Sequence, residues 1–215
     1  MSLTLYFHPF SSYCQKVLIA LYENDTAFEP RIVDLTDAAE NAAFKRLWPI
    51  GKFPVLRDDA SALTIPESTI IIEYLAQHYP GATRLIPADP DLARECSARD
   101  RFYDLHVHQH MQTIVGDRLR PAGKKDSFGV EQAKSRLETA FGMIDAEMAD
   151  KTWAMGDAFS MADCAAAPAL YYANLLVPFG KTHKNLAAYF DRLMARPSFA
   201  RAVKEAEPYR AFFPT

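Results

Sequence analysis

The sequence predicts a small α/β domain followed by an all-helical one. Three observations carry this reading. Residues 1–79 alternate short β-rich runs with segments of helical periodicity. The stretch YPGATRLIPADPD (79–91) holds three prolines and a glycine, as a linker does. Beyond it only helical spacing recurs, interrupted by glycine and proline. The expected boundaries are 1–80 for the α/β domain, 81–90 for the linker and 91–215 for the helical domain.

Each element has its own signal. Leu3-Thr4-Leu5-Tyr6-Phe7 is short and rich in β-formers, which predicts a buried strand, and Pro9 ends it. Cys14, Val17, Leu18, Leu21 and Tyr22 then recur at helical spacing, so a helix runs to about Asn24. Ser11 or Ser12 fits its N-cap, where a serine oxygen accepts an orphan amide hydrogen. A strand over 28–35, a helix over 38–47, strands over 53–57 and 63–65, and a helix over 68–79 follow. Pro54 stands at a strand start because proline cannot donate to a ladder. Ser68 is expected to cap the helix after Pro66, with Ile71, Ile72, Leu75 and Ala76 facing inward. In the second half, helices are expected over 91–119, 130–149, 162–176 and 186–195, with a short turn from Ser198. Ser160 and Asp163 have the spacing of a capping box, with Asp163 half-buried and structural.

Composition removes several function classes. At 215 residues and 49% hydrophobic content the chain can bury a substantial core. A net charge of −3 argues against binding driven by nucleic-acid phosphates. Arg118, Arg120, Lys124 and Lys125 form a local basic patch that a solvated loop explains. Three widely spaced cysteines make neither a disulfide framework nor a zinc site. No basic N-terminal region precedes a long apolar run, and no segment approaches about eighteen apolar residues. A soluble cytoplasmic protein without nucleic-acid or membrane partners is expected.

Two helix starts carry possible chemistry. The first turn of a helix presents unpaired N–H groups and the positive end of the dipole, so a thiolate docked at Ser11-Ser12 is favoured over its thiol. At the second start, helix N–H groups and the Ser68 hydroxyl suit the carboxylate of an amino-acid zwitterion, and Glu67 suits its ammonium. Between them, a strand edge at Pro54 leaves Phe53 backbone groups for a peptide ligand. Together they outline a pocket for a small thiol peptide.

At these residues the chain resembles the glutathione S-transferase family over nearly its full length. SSYCQKVLIAL (11–21), PIGKFPVL (49–56) and PESTIIIEYL (66–75) are similar to that family's thioredoxin-like glutathione-binding domain. GDAFSMADC (156–164) and YFDRLMARPSF (189–199) are similar to its helical second domain. The resemblance implies a thioredoxin-like fold, a homodimer, glutathione as cosubstrate and no metal. Ser11-Ser12-Tyr13-Cys14 resembles the Cys-Pro-Tyr-Cys of glutaredoxins with serine first, which implies Ser11 as the thiolate-stabilising residue and Ser12 as the alternative. The family's cis-proline maps onto Pro54, its cysteinyl-pairing backbone onto Phe53, and its γ-glutamyl clamp onto Glu67 and Ser68. Lys52 is placed to reach the glycyl carboxylate.

The implied activity is conjugation of glutathione to a small hydrophobic electrophile. Phe10, Tyr103, His106 and His110 are the expected electrophile pocket. His106 and His110 lie one turn apart, but no third ligand completes a metal site. Cys14 reads as a core thiol, or as a helix-start thiol of lowered pKa. SSYCQKVLIAL is also similar to the zeta-class signature, which has cysteine at Tyr13 and arginine at Leu18. Glutathione-dependent isomerisation of maleyl compounds, and non-enzymatic protein contacts, are the alternative functions.

Overall fold

The computed structural model describes residues 3–214. Strand β1 (Leu3–Phe7) lies inside the sheet and alternates buried and half-buried residues. It pairs in parallel with β2 (Glu29–Ile32) and antiparallel with β3 (Val55–Asp58), which pairs antiparallel with β4 (Leu63–Pro66). The strand order is β2-β1-β3-β4. The edge strand β2 carries Pro30 and is exposed along its whole length, as an edge tolerates. Strand β3 starts two residues later than the sequence suggests, just after Pro54, whose peptide bond to Phe53 is cis.

Helices α1 (Ser12–Glu23), α2 (Ala38–Leu47) and α3 (Ser68–His78) complete the first domain. Ser11 caps α1 by accepting the Cys14 N–H at 3.4 Å, and Asp37 caps α2 by accepting the Glu40 N–H at 2.8 Å. At α3 the sequence expectation is corrected. Glu67, not Ser68, occupies the cap position, with φ +70° and no capping side-chain bond.

The second domain is helical throughout. Asp89 caps α4 (Pro90–Phe102), with Pro90 at the first helical position. The expected single helix to Leu119 is interrupted by a π turn, Tyr103–His108, before α5 (Gln109–Leu119). Then come α6 (Ser127–Glu147), α7 (Met161–Leu176), α8 (Lys184–Ala195) and α9 (Pro197–Ala206), with a 3₁₀ turn over Glu207–Phe212. The small residues of α7, among them Ala162, Ala165, Ala166 and Ala169, are buried and let neighbouring helices approach closely. Among the described residues no helix is long and apolar enough to cross a membrane.

Helix α1 packs against α7 and α9, and polar pairs lock the two domains along it. The Lys16 ammonium is 1% exposed and lies 2.6 Å from Asp100, 2.9 Å from Asp104 and 2.9 Å from the Thr69 hydroxyl. A cation this deeply buried needs such partners. Farther along, Glu23 accepts from Arg196 at 2.6 Å and from Ser198.

Candidate functional site

The strand-to-helix turn after β1 carries His8-Pro9-Phe10 up to the Ser11 cap. Its carbonyls are held from both domains. The Gln15 amide donates to Pro9 O at 3.0 Å, and the Tyr172 hydroxyl donates to Phe10 O at 3.0 Å. Ser11 is half-buried and Ser12 buried. Cys14 is fully buried, and burial pushes its thiol up to about 12, so only its reading as a core thiol survives. Cys96 and Cys164 are also buried and free.

Two cavities flank this turn. One, of about 230 Å³, is lined by Lys52, Phe53, Pro54, Glu67 and Ser68, with Thr69, Arg101 and Asp104 from deeper elements. Thus the five residues expected to hold a thiol peptide line a single polar cavity. The other, of about 300 Å³, is mainly apolar. Phe10, Met111, Val115 and Tyr172 form its walls, the C-terminal Phe212 and Phe213 cover it, and Ser11 and Ser12 supply hydroxyls. Phe10, Tyr172 and Phe213 make an aromatic box, with ring centroids 5.4–6.3 Å apart. Tyr13 and Phe53 border both cavities, so polar and apolar compartments meet beside the start of α1.

Charge in the polar cavity is mixed. Lys52 and Arg101 bring two cations, and Glu67 an anion on a strained backbone. Asp104 adds a second carboxylate, already paired with Lys16; burial raises its pKa, with Lys16 opposing. This pattern matches a ligand with two carboxylates and one ammonium. Burial, then the charge of Asp104, pushes Tyr13 above the usual phenol range, so it stays protonated.

The comparisons with known proteins bear on the family and the fold. Residues 5–83 match the glutathione S-transferase N-terminal domain, and residues 102–197 match the glutathione S-transferase C-terminal domain. The chain belongs to the glutathione S-transferase family. Glutathione S-transferase GstB of Escherichia coli K12 is 29% identical over 205 residues, covering 94% of this chain and 97% of that one. A stringent starvation protein A homolog of Haemophilus influenzae is 29% identical over 208 residues, covering 96% and 92%. A glutathione S-transferase structure from Methylobacillus flagellatus KT with glutathione bound superposes with a TM-score of 0.84 at 26% identity, covering 93% and 98%. The four-stranded mixed sheet followed by a helical domain is this family's thioredoxin-like arrangement.

Within this glutathione S-transferase fold, three residues expected at the electrophile pocket stand elsewhere. Tyr103 is 2% exposed, buried in the core beside Tyr189. His106 and His110 line a separate groove between α5 and α6, with Arg136 and Met143. Helical spacing groups these residues, but the π turn rotates Tyr103 away from the histidines. Only Phe10 of the four lines the cavity beside the serines. The residue the sequence reading passed over is His108. It sits on the opposite side of the helix from His106 and His110, and it hydrogen-bonds Ser12. The alternation in HVHQH (106–110) was a usable signal, because its middle histidine must face inward when the outer two face out. Arg101 and the Phe212-Phe213 cover carry no local sequence signal.

Proposed function

We propose that the protein is a glutathione transferase that adds the glutathione sulfur to a small hydrophobic electrophile. Glutathione occupies the polar cavity, its γ-glutamyl ammonium on Glu67, its carboxylates on the start of α3 and on Lys52 and Arg101. The Phe53 backbone pairs with the cysteinyl unit, which directs the sulfur to the junction at Tyr13 and Phe53. There Ser11 donates to the thiolate. As the cap its oxygen accepts the Cys14 N–H, and its hydroxyl, which also faces the protonated Cys14 thiol, rotates to donate to the ligand.

A hydrogen bond to a charged acceptor contributes about 1.5–3 kcal/mol, and the helix start adds about 0.3–1 kcal/mol. Together these lower a thiol pKa by roughly one to three. The thiol proton leaves to solvent, and the sulfur lone pair forms the carbon–sulfur bond as the electrophile's leaving group or π electrons depart. The protein's remaining contribution is to hold both reactants in adjoining cavities. The observation that carries this reading is that the five expected glutathione-binding residues line one polar cavity, and that it meets an apolar one beside Ser11.

Calorimetry with glutathione, followed by turnover of a halide, epoxide, peroxide and maleyl electrophile panel, tests it. Glutathione should bind, and Ser11→Ala should bind it while losing turnover most strongly near neutral pH. A parent protein that binds no glutathione would overturn the reading. The same reading places a homodimer in the cytoplasm, which sedimentation and cell fractionation check.

A further inference from the structure

Ser12 is the second hydroxyl at the start of α1, and its oxygen is hydrogen-bonded to Nε2 of His108. His108 ends the π turn between α4 and α5 and is 3% exposed. π turns inside α-helices are frequent at functional sites. The Tyr13 ring packs on the imidazole with centroids 4.1 Å apart, and Tyr13 borders both cavities. The Gln112 amide lies 3.5 Å from the same Nε2. The other nitrogen, Nδ1, is buried without a partner among the described residues.

That orphan nitrogen distinguishes the two tautomers. With the proton on Nδ1, a buried N–H has no acceptor, and the single hydrogen of Ser12 is consumed on Nε2. With the proton on Nε2, His108 donates to Ser12 Oγ and the Ser12 hydrogen is free to point into the cavity. What stays unsatisfied on this pair is then the bare Nδ1 lone pair. The Gln112 amide, at 3.5 Å, is too far to compete with Ser12 for the Nε2 hydrogen, and a half-turn that leaves its shape unchanged turns its oxygen rather than its N–H toward Nε2.

The imidazole stays neutral. Burial lowers its pKa to about 3, and the nearby Lys16 ammonium acts in the same direction. It is therefore no base for the thiol proton, and its role is to orient Ser12. The charged groups on the packed elements are Lys16 on α1 and its partners Asp100 and Asp104, which hold the Lys16 charge in place.

We propose that His108 is a positioning residue for thiol activation, its Nε2–H holding Ser12 Oγ so that the Ser12 hydroxyl donates to the glutathione sulfur alongside Ser11. This rests on the transferase reading and names a second donor within that site.

The test compares Ser12→Ala, His108→Leu, His108→Gln and the Ser12→Ala/His108→Leu double variant. Thiolate absorbance is titrated in each glutathione complex, with affinity measured by calorimetry. Ser12→Ala and His108→Leu should each raise the thiol pKa by about 1, the worth of one charge-assisted bond, and lower conjugation near neutral pH roughly tenfold. The double variant should shift no further, and His108→Gln, which keeps a donor, should restore most of the loss. Additive shifts, or a His108→Leu protein that loses turnover with its thiol pKa unmoved, would overturn the proposal. If His108→Leu does not fold, an unmoved thiol pKa in Ser12→Ala overturns it as well. Glutathione binding with no pKa change in any variant removes this inference alone, whereas absent binding by the parent protein removes the transferase reading with it.

Discussion

The Tyr172 hydroxyl, on α7 in the helical domain, donates at 3.0 Å to the carbonyl oxygen of Phe10, one residue before the Ser11 cap. The Gln15 amide in turn donates to the Tyr172 oxygen at 3.1 Å. The turn that presents Ser11 is thus fastened across the domain boundary as well as by its own Ser11 N–H bond to His8 O at 3.0 Å. Tyr172→Phe removes the donor and the acceptor together, leaving buried groups unpaired. A stability loss of about 1–3 kcal/mol is expected. Turnover should fall more than glutathione affinity, because Tyr172 lines the apolar cavity and not the polar one. Denaturant midpoints and calorimetry on the variant check both parts, and an affinity loss as large as the turnover loss would contradict this division.

Glu67 holds a positive φ of +70° at the start of α3, a region that costs a non-glycine residue about 1–3 kcal/mol. Its side chain makes no capping bond that offsets this. Glu67→Gly should therefore stabilise the apo protein by up to about 1 kcal/mol, since glycine adopts this φ freely. The same change should weaken glutathione binding roughly tenfold or more through the lost ammonium partner. Thermal midpoints and titration calorimetry should move in opposite directions. A destabilised variant, or unchanged affinity, would remove the functional explanation of the strain.

Asp163 is fully buried rather than half-buried as the sequence suggests. It accepts the Tyr189 hydroxyl at 2.6 Å, the Ala154 N–H at 2.8 Å, and the Ser160 N–H and hydroxyl at 2.9 and 3.0 Å. Asp163→Ala strands several buried donors at once, so the loss should exceed that of a simple cap and reach about 3 kcal/mol or more. Asp163 lines neither cavity at the α1 start, so the folded fraction should bind glutathione normally. Urea titration with and without glutathione measures this, and a well-folded variant without binding would be evidence against a structural role.

Asp58 accepts the hydroxyls of Tyr74 at 2.6 Å and Tyr79 at 2.5 Å, joining β3 to the end of α3. These bonds hold its carboxyl at about 2, below the ordinary 3.8. A depressed carboxylate pKa contributes stability that is present above the unfolded value and lost as pH falls through the folded one. Stability should therefore decline between about pH 4 and pH 2, and Tyr74→Phe with Tyr79→Phe should flatten that part of the profile. Urea midpoints across this range decide it. An unchanged acid slope in the double variant would assign the decline to other carboxylates.

Short-range signals in the sequence determined the domain order, most element positions and the polar half of the site. A serine before a helical stretch, a proline before a strand and an acidic residue before a helix act through neighbours a few positions away. Pro54, Glu67 and Ser68 were accordingly legible, whereas Lys52 entered through the family resemblance; with Phe53 they line one cavity. Tertiary structure decided the apolar half. The inward side of HVHQH meets Ser12 only because α1 packs beside it, and the π turn at Tyr103–His108 changes the phase of the long helix, which buries Tyr103. It leaves His106 and His110 facing α6. Phe212 and Phe213 line the apolar cavity beside Pro214, whose carbonyl oxygen accepts from the Arg118 guanidinium at 2.8 Å. Ser12 and His108 are 96 positions apart, as are Arg118 and Pro214. Contacts at such separations come from packing whole helices against one another, and no local propensity encodes them.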